Sequence, residues 1–236
     1  LRWLVEKSGI YHPYGKVEGL RFAMRMGQED VVGELVKQLE EEAWKDYYIA
    51  HYVGEAYFNL GEKEKAAKLW HNIWEKEKNY VPIGINLARY YMDKEDYVTA
   101  NLFLEENSNA VRGNDYLENM RRTCCSHIVY DLWEKAKKED ISFDEIIQLC
   151  HKSCVIEDFE GANRAIAMAK PSNDEEKYDY HYKYAMVYRG LEENEKAEAE
   201  LSLCLALLEE KKAKREKCAE EYSKVYQGLF DCEMAF

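Results

Sequence analysis

Proline and glycine are scarce, three and twelve in 236 residues. A mainly β chain would need more of both for its turns, so helices are favoured. No window reaches the roughly 18 uninterrupted apolar residues of a membrane span, and no charged-apolar-small leader opens the chain. Basic residues are outnumbered: 33 Lys and Arg against 46 Asp and Glu leave a net charge of −13. This argues against a nucleic-acid backbone or an anionic membrane as partner. Catalytic motifs are missing too. There is no Gly-x-Ser-x-Gly elbow, no phosphate-binding glycine loop and no His-Glu-x-x-His, so an enzyme is the weakest functional class and no cofactor is expected. The first residue is Leu1 and not Met, which leaves an upstream domain as an expectation.

The cysteines number seven. An odd count without a secreted framework fits reduced thiols and a cytoplasmic location. Cys150, His151 and Cys154 lie within one helical turn, and Cys124, Cys125 and His127 form a second cluster. Zinc takes four ligands from two elements, usually with Cys-x2-Cys knuckles, and neither cluster has that spacing, so no metal is expected. Cys150 and Cys204 fall where a small apolar residue belongs in a packed helix pair.

What the chain does have is a period of thirty-four. Gly27 and Gly61, Ala66 and Ala100, and Tyr57 and Tyr91 are each one period apart, the repeat length of two-helix solenoids. In 47–80, Ile49, Ala50, Val53, Gly54, Ala56 and Tyr57 have helical spacing, and Gly61 ends that helix as a left-handed cap. A second helix buries Ala66, Leu69, Trp70, Ile73 and Trp74. The frame fits again at 81–114 through Leu87, Ala88, Tyr91, Tyr97, Ala100 and Leu104. It is looser at 13–46, with Leu20, Ala23, Val32, Val36 and Leu39. It returns at 143–177, with Ile146, Cys150, Ala162 and Ile166, and at 178–211, with Ala185, Tyr188, Ala197, Leu201 and Cys204. Residues 115–142 break the frame with one long helix after a polar loop, Asn107 to Asn114. Residues 212–236 supply a capping helix.

Gly54, Tyr57, Gly61, Ala66 and Trp70 occupy the small, aromatic, turn, small and aromatic positions of the tetratricopeptide motif, and 47–80 resembles that repeat. The terminal proline of the motif is displaced to Pro82, and Ala50 replaces its first aromatic. The resemblance, extended in degenerate form over 1–236, implies one all-α domain. It would be a right-handed superhelix of antiparallel helix pairs whose first helices line a concave, protein-binding side.

In that frame the first helices present Tyr14, Arg21 and Arg25, then Tyr48, His51, Tyr52 and Glu55, then Asn86, Arg89 and Asp93. Asn119 and His127 follow on the long helix, and Gln148, His151, Tyr182 and Arg189 later. This polar, aromatic and locally basic set suits a peptide: Asn pairs with a backbone, Arg forks to a carboxylate and Tyr gives area at low entropic cost. Asn86 alone matches the carboxylate clamp of chaperone-binding relatives, so a chaperone tail is not the expected ligand. The expected function is a non-catalytic module holding a protein or peptide segment. Two alternatives stay open. One is a structural subunit that scaffolds or forms a homodimer through the helix Glu209–Glu221 and Tyr222, Val225, Tyr226 and Leu229. The other is the peptide-sensing part of a bacterial pheromone-type regulator whose DNA-binding head is absent here.

Overall fold

A computed structural model gives the structure of residues 12–213 and 218–233, and Leu1 falls outside them. Among the described residues every regular element is a helix. Three antiparallel hairpins open the chain: α1 (Pro13–Arg25) with α2 (Glu29–Ala43), α3 (Tyr47–Asn59) with α4 (Lys63–Trp74), and α5 (Val81–Asp93) with α6 (Tyr97–Glu106). A four-residue α7 (Ser108–Val111) precedes the long α8 (Asp115–Ala136). Two more hairpins follow, α9 (Phe143–Val155) with α10 (Phe159–Ile166) and α11 (Asp174–Gly190) with α12 (Asn194–Ala213), and then α13 (Ala219–Glu233). The chain divides into two compact units, Leu1–Arg121 and Arg122–Phe236, and the division falls inside α8.

The hairpin turns explain the period. Gly27, Gly61 and Glu95 have φ of 64°, 83° and 59°, the left-handed conformation that reverses the chain. In each turn the following N–H closes a wide loop back onto the first helix: Gln28 donates to Ala23 O, Glu62 to Tyr57 O and Asp96 to Tyr91 O, at 3.0, 2.9 and 2.9 Å. Glu157 (64°) and Glu192 (61°) repeat the device in the second unit. Sequence reading finds the first two turns by their glycines and misses the other three, where glutamate bears the strained φ. A left-handed non-glycine residue is disfavoured by roughly 1–2 kcal/mol. Glu95→Gly and Glu192→Gly should therefore each stabilise the protein, by about 0.5–1 kcal/mol after the added chain entropy of glycine. Urea denaturation midpoints check this, and an unchanged or lowered midpoint would contradict it.

Small residues set the packing. Ala66, Ala100, Ala162 and Ala197 are fully buried at the starts of the second helices. Second helices also lie against the helix that follows, α2 on α3 and α4 on α5, and in the other unit α10 on α11 and α12 on α13. First helices stand side by side, α1 with α3 and α3 with α5. Side chains close the helix ends. Asp46 accepts from Tyr48 N and Ile49 N at 2.9 and 3.0 Å, and Ser142 and Glu145 form a reciprocal capping box on α9.

Three expectations need correction. Residues 107–114 are not a plain loop: Asn107 is buried, its Nδ2 donates to Phe103 O at 2.7 Å, and Ser108–Val111 is helical with Val111 inside. Helix α11 starts at Asp174 and not at 178, because Asn173 caps it by accepting from Glu176 N at 2.9 Å. The expected helix Glu209–Glu221 includes 214–217, which lie outside the described residues; on either side α12 ends at Ala213 and α13 starts at Ala219.

Candidate functional site

In the first unit, the side chains of α1, α3 and the start of α5 form a continuous aromatic strip. Tyr14 meets Tyr48 edge-on at 5.7 Å, Tyr48 meets Tyr52 at 5.1 Å, His51 meets Tyr52 at 4.4 Å and Tyr80 at 5.8 Å, and Tyr47 meets Tyr80 at 4.6 Å between ring centroids. The Arg21 guanidinium lies 4.8 Å over the Tyr52 ring. These contacts hold α1 to α3 and present flat, amphipathic surface. Polar pairs pin the strip. Tyr14 donates to Asp46 Oδ2 at 2.6 Å, so the residue that caps α3 also anchors α1. Glu18 Oε1 accepts from Arg21 at 2.8 Å and from the Tyr48 hydroxyl at 2.9 Å. Those bonds, Arg21 first, hold the Glu18 carboxyl below its ordinary range. Burial and then Glu18 push the Tyr48 phenol up.

Next to the strip lies a cleft of about 120 Å³ between α3, α4 and α5, lined by Glu55, Phe58, Asn59, Trp70, Asn86 and Arg89. Arg89 donates to Asn86 Oδ1 at 3.2 Å, and its guanidinium carbon sits 5.6 Å from the Phe58 ring centre. His51 bridges Tyr80, at 3.3 Å through Nδ1, and Glu55, at 3.5 Å through Nε2. Burial raises the pKa of Glu55, but the His51 ring, Arg89 and the Asn86 amide outweigh it, and the net shift is downward. The carboxylate thus stays charged in a half-buried place. The Asn86 amide is close enough to add to that field, yet its Nδ2 makes no hydrogen bond, and neither does Trp70 Nε1. Each buried donor left in that condition costs about 1–3 kcal/mol.

The structure thus gathers Arg21, Tyr48, His51 and Tyr52 into the strip, and Glu55, Asn86 and Arg89 into the cleft. Arg25 is exposed in the last turn of α1 and adds charge near Glu18. Asn119, exposed on α8, does not line the cleft. Asp93 pairs instead with Lys63 at the start of α4, at 2.7 Å. Glu18, Tyr47, Phe58, Asn59, Trp70 and Tyr80 were not legible as members. Glu18 was findable as the i−3 partner of Arg21. Tyr80 precedes a helix, Phe58 and Asn59 end one, and no periodic pattern marks any of them as facing the cleft.

In the second unit Tyr182 and Arg189 line a larger hollow, about 420 Å³, between α11 and α13. An Arg189–Asp231 ion pair of 3.0 Å crosses it. Gln148 and His151 are half-buried on α9, and His127 is exposed on α8. Cys124, Cys150 and Cys204 are fully buried, and burial lifts the thiols of Cys124 and Cys204 to about 12, which leaves them protonated and inert. Among the described residues no three His, Cys, Asp or Glu side chains converge as a metal site, and no helix is long and apolar enough to cross a membrane.

No family model and no curated protein matches this chain. Solved structures do. A tetratricopeptide repeat protein from Parabacteroides merdae ATCC 43184 aligns over 96% of this chain and 88% of its own, at 9% identity and a TM-score of 0.42. A TPR repeats protein from Bacteroides fragilis NCTC 9343 aligns over 95% and 99%, at 13% identity and 0.44. The TPR domain of P58(IPK) aligns over 94% of this chain and 66% of its own, at 13% identity and 0.41. Independently of these likenesses, the paired helices, the turns at 27, 61 and 95 and the buried alanines at four of the second helices give this chain an all-α, tetratricopeptide-like repeat fold.

Proposed function

We propose that this chain is a non-catalytic binding module, acting as one repeat domain, that lays an extended peptide or protein segment along α1, α3 and α5. The observation that supports this most is the junction of the aromatic strip with the cleft. Rigid tyrosines offer area, and Arg21, Asn86, Arg89 and Glu55 offer directional polar groups beside it. Such a surface suits a peptide whose main chain runs over the tyrosines while side chains enter the cleft.

A thermal-shift screen of short peptides tests the proposal. A ligand at one hundred times its Kd adds about 2.7 kcal/mol to stability, so a genuine hit moves the midpoint clearly. Arg21→Met with Arg89→Met keeps the apolar stems and removes both charges. The double variant should weaken the hit about tenfold or more, a loss of about 1.4 kcal/mol, while the unliganded midpoint changes little. The proposal fails when no peptide pool stabilises the fold, or when the variant binds as well as the parent.

A second reading, self-association through α13, is favoured by one observation. Tyr226 and Phe230 stand one turn apart on that helix with 57% and 55% of their surface exposed. The residues first assigned to that surface divide differently. Val225 is fully buried in the core of the second unit, and Tyr222 and Leu229 pack against it. Only Tyr226 of the original set faces outward, so a test of assembly belongs at Tyr226 and Phe230 and not at Leu229.

A further inference from the structure

The cleft beside the strip holds two N–H donors that the fold does not use. Trp70 is 1% exposed and Asn86 4%, and Trp70 Nε1 and Asn86 Nδ2 both lack an acceptor. Their side chains line the same small space, with Glu55, Phe58 and Arg89 around it. The Arg89 bond to Asn86 Oδ1 fixes which way that amide faces, leaving its NH2 end as the one that is offered. Beside the Asn86 amide, which helps to hold its carboxyl low, Glu55 stays charged and can only accept. Formal charge in the cleft is balanced by Arg89 and Glu55.

Each ligand chemistry meets this arrangement differently. A carboxylate would satisfy the donors but face the ionised Glu55. An ammonium or guanidinium would satisfy Glu55 but face Arg89 and leave both donors orphaned. A main-chain amide carries its C=O and N–H on opposite edges of a trans peptide, so one cannot meet a donor and an acceptor that stand side by side. A primary carboxamide carries acceptor and donor on the same edge. We propose that the cleft recognises the carboxamide of a glutamine or asparagine side chain. The amide oxygen accepts from Asn86 Nδ2 and Trp70 Nε1, the amide NH2 donates to Glu55, and the methylenes lie on Phe58. This rests on the reading of α1, α3 and α5 as a peptide surface and adds which side chain that surface selects. Retaining two unsatisfied buried donors is then the cost of discrimination, since a site built to hydrogen-bond a group rejects analogues that lack it.

The Trp70 indole proton reports directly on the site. In the ¹H–¹⁵N spectrum of the full chain its signal is assigned by its disappearance in Trp70→Phe. Propionamide, titrated through the millimolar range, should move that signal saturably. Propionate at matched ionic strength should not. Asn86→Leu should weaken the response about tenfold or more, read where the variant is still folded, because it removes a donor to the ligand. Glu55→Gln, which keeps the shape, should admit propionate. An indole signal that ignores propionamide, or that follows propionate equally in the parent protein, overturns the assignment. The two proposals separate cleanly. Peptides that bind with no preference for glutamine or asparagine, and with no change at the Trp70 indole, refute the pocket and leave the groove standing. Propionamide moving the indole while no peptide stabilises the fold upholds the pocket and refutes the groove.

Discussion

Gly54→Ala should destabilise the protein by about 2–3 kcal/mol, although alanine is the better helix former. Propensity alone favours alanine in the interior of α3 by about 1 kcal/mol. Packing opposes it. A Cβ at position 54 would lie 2.1 Å from Trp70 Nε1, 2.5 Å from Cε2 and 2.9 Å from Cδ1. Those atoms belong to a rigid ring that is 1% exposed, and it also tilts against Phe58, one turn along α3, at 6.0 Å between centroids. The indole cannot swing away, so α3 and α4 must separate, and overpacking of this kind costs about 1–3 kcal/mol or more. A double-mutant cycle isolates the cause. Leucine at 70 has no atom at the Nε1 and Cε2 positions that collide most, so Gly54→Ala should cost less than about 1 kcal/mol in a Trp70→Leu background, a coupling of the size seen between touching residues. Additive effects in urea denaturation would show that the clash is not what Gly54 avoids.

That pair also shows why the fold was legible in the sequence. A small residue on a first helix facing a tryptophan on the second is a local complement, sixteen positions apart, and the next hairpin keeps its frame with Ala88 and Leu104, both fully buried. Helix starts at 13, 47, 81 and 115 keep the thirty-four-residue step, so the frame survives even where a motif residue is lost. The turn at 95 shows the limit. Its geometry equals that of Gly27 and Gly61, but a glutamate there gives no signal. The site was legible only in part. Arg21, Tyr48, His51 and Tyr52 follow from helix periodicity, since they share one face of their own helix. Tyr80 and Phe58 do not, because their places depend on how a loop enters α5 and how α3 ends. Nor does periodicity separate Tyr226 and Phe230 from Val225 and Leu229 on α13, a helix with apolar residues on two faces. Which face is covered depends on the seat of α12. Of the two orphaned donors, Asn86 is placed by the repeat frame, whereas Trp70 has no such signature, since it occupies an ordinary packing position.

The second large effect belongs to the joint between hairpins. Trp74→Ala should cost about 3–5 kcal/mol, the range for removing a buried tryptophan. Trp74, at the end of α4, is 6% exposed and meets Phe103 of α6 edge-on at 5.8 Å. It also fills the space above Gly84 of α5, where a Cβ would come within 2.9 Å of its ring. One side chain therefore locks the second hairpin to both helices of the third. Stability in stacked repeats is roughly a sum of hairpin terms and neighbour interfaces, so the loss should concentrate at that interface. Hydrogen exchange should show α5 and α6 losing more protection than α1 and α2, and uniform loss would argue against a nearest-neighbour design. Asn86 and Arg89 ride on α5, two and five residues beyond Gly84. Weakening the joint should therefore also reduce peptide affinity, although Trp74 does not line the cleft. At a denaturant concentration where the variant remains folded, lower affinity with unchanged cleft residues would mean that α5 is positioned for binding by the seat of one tryptophan on one glycine.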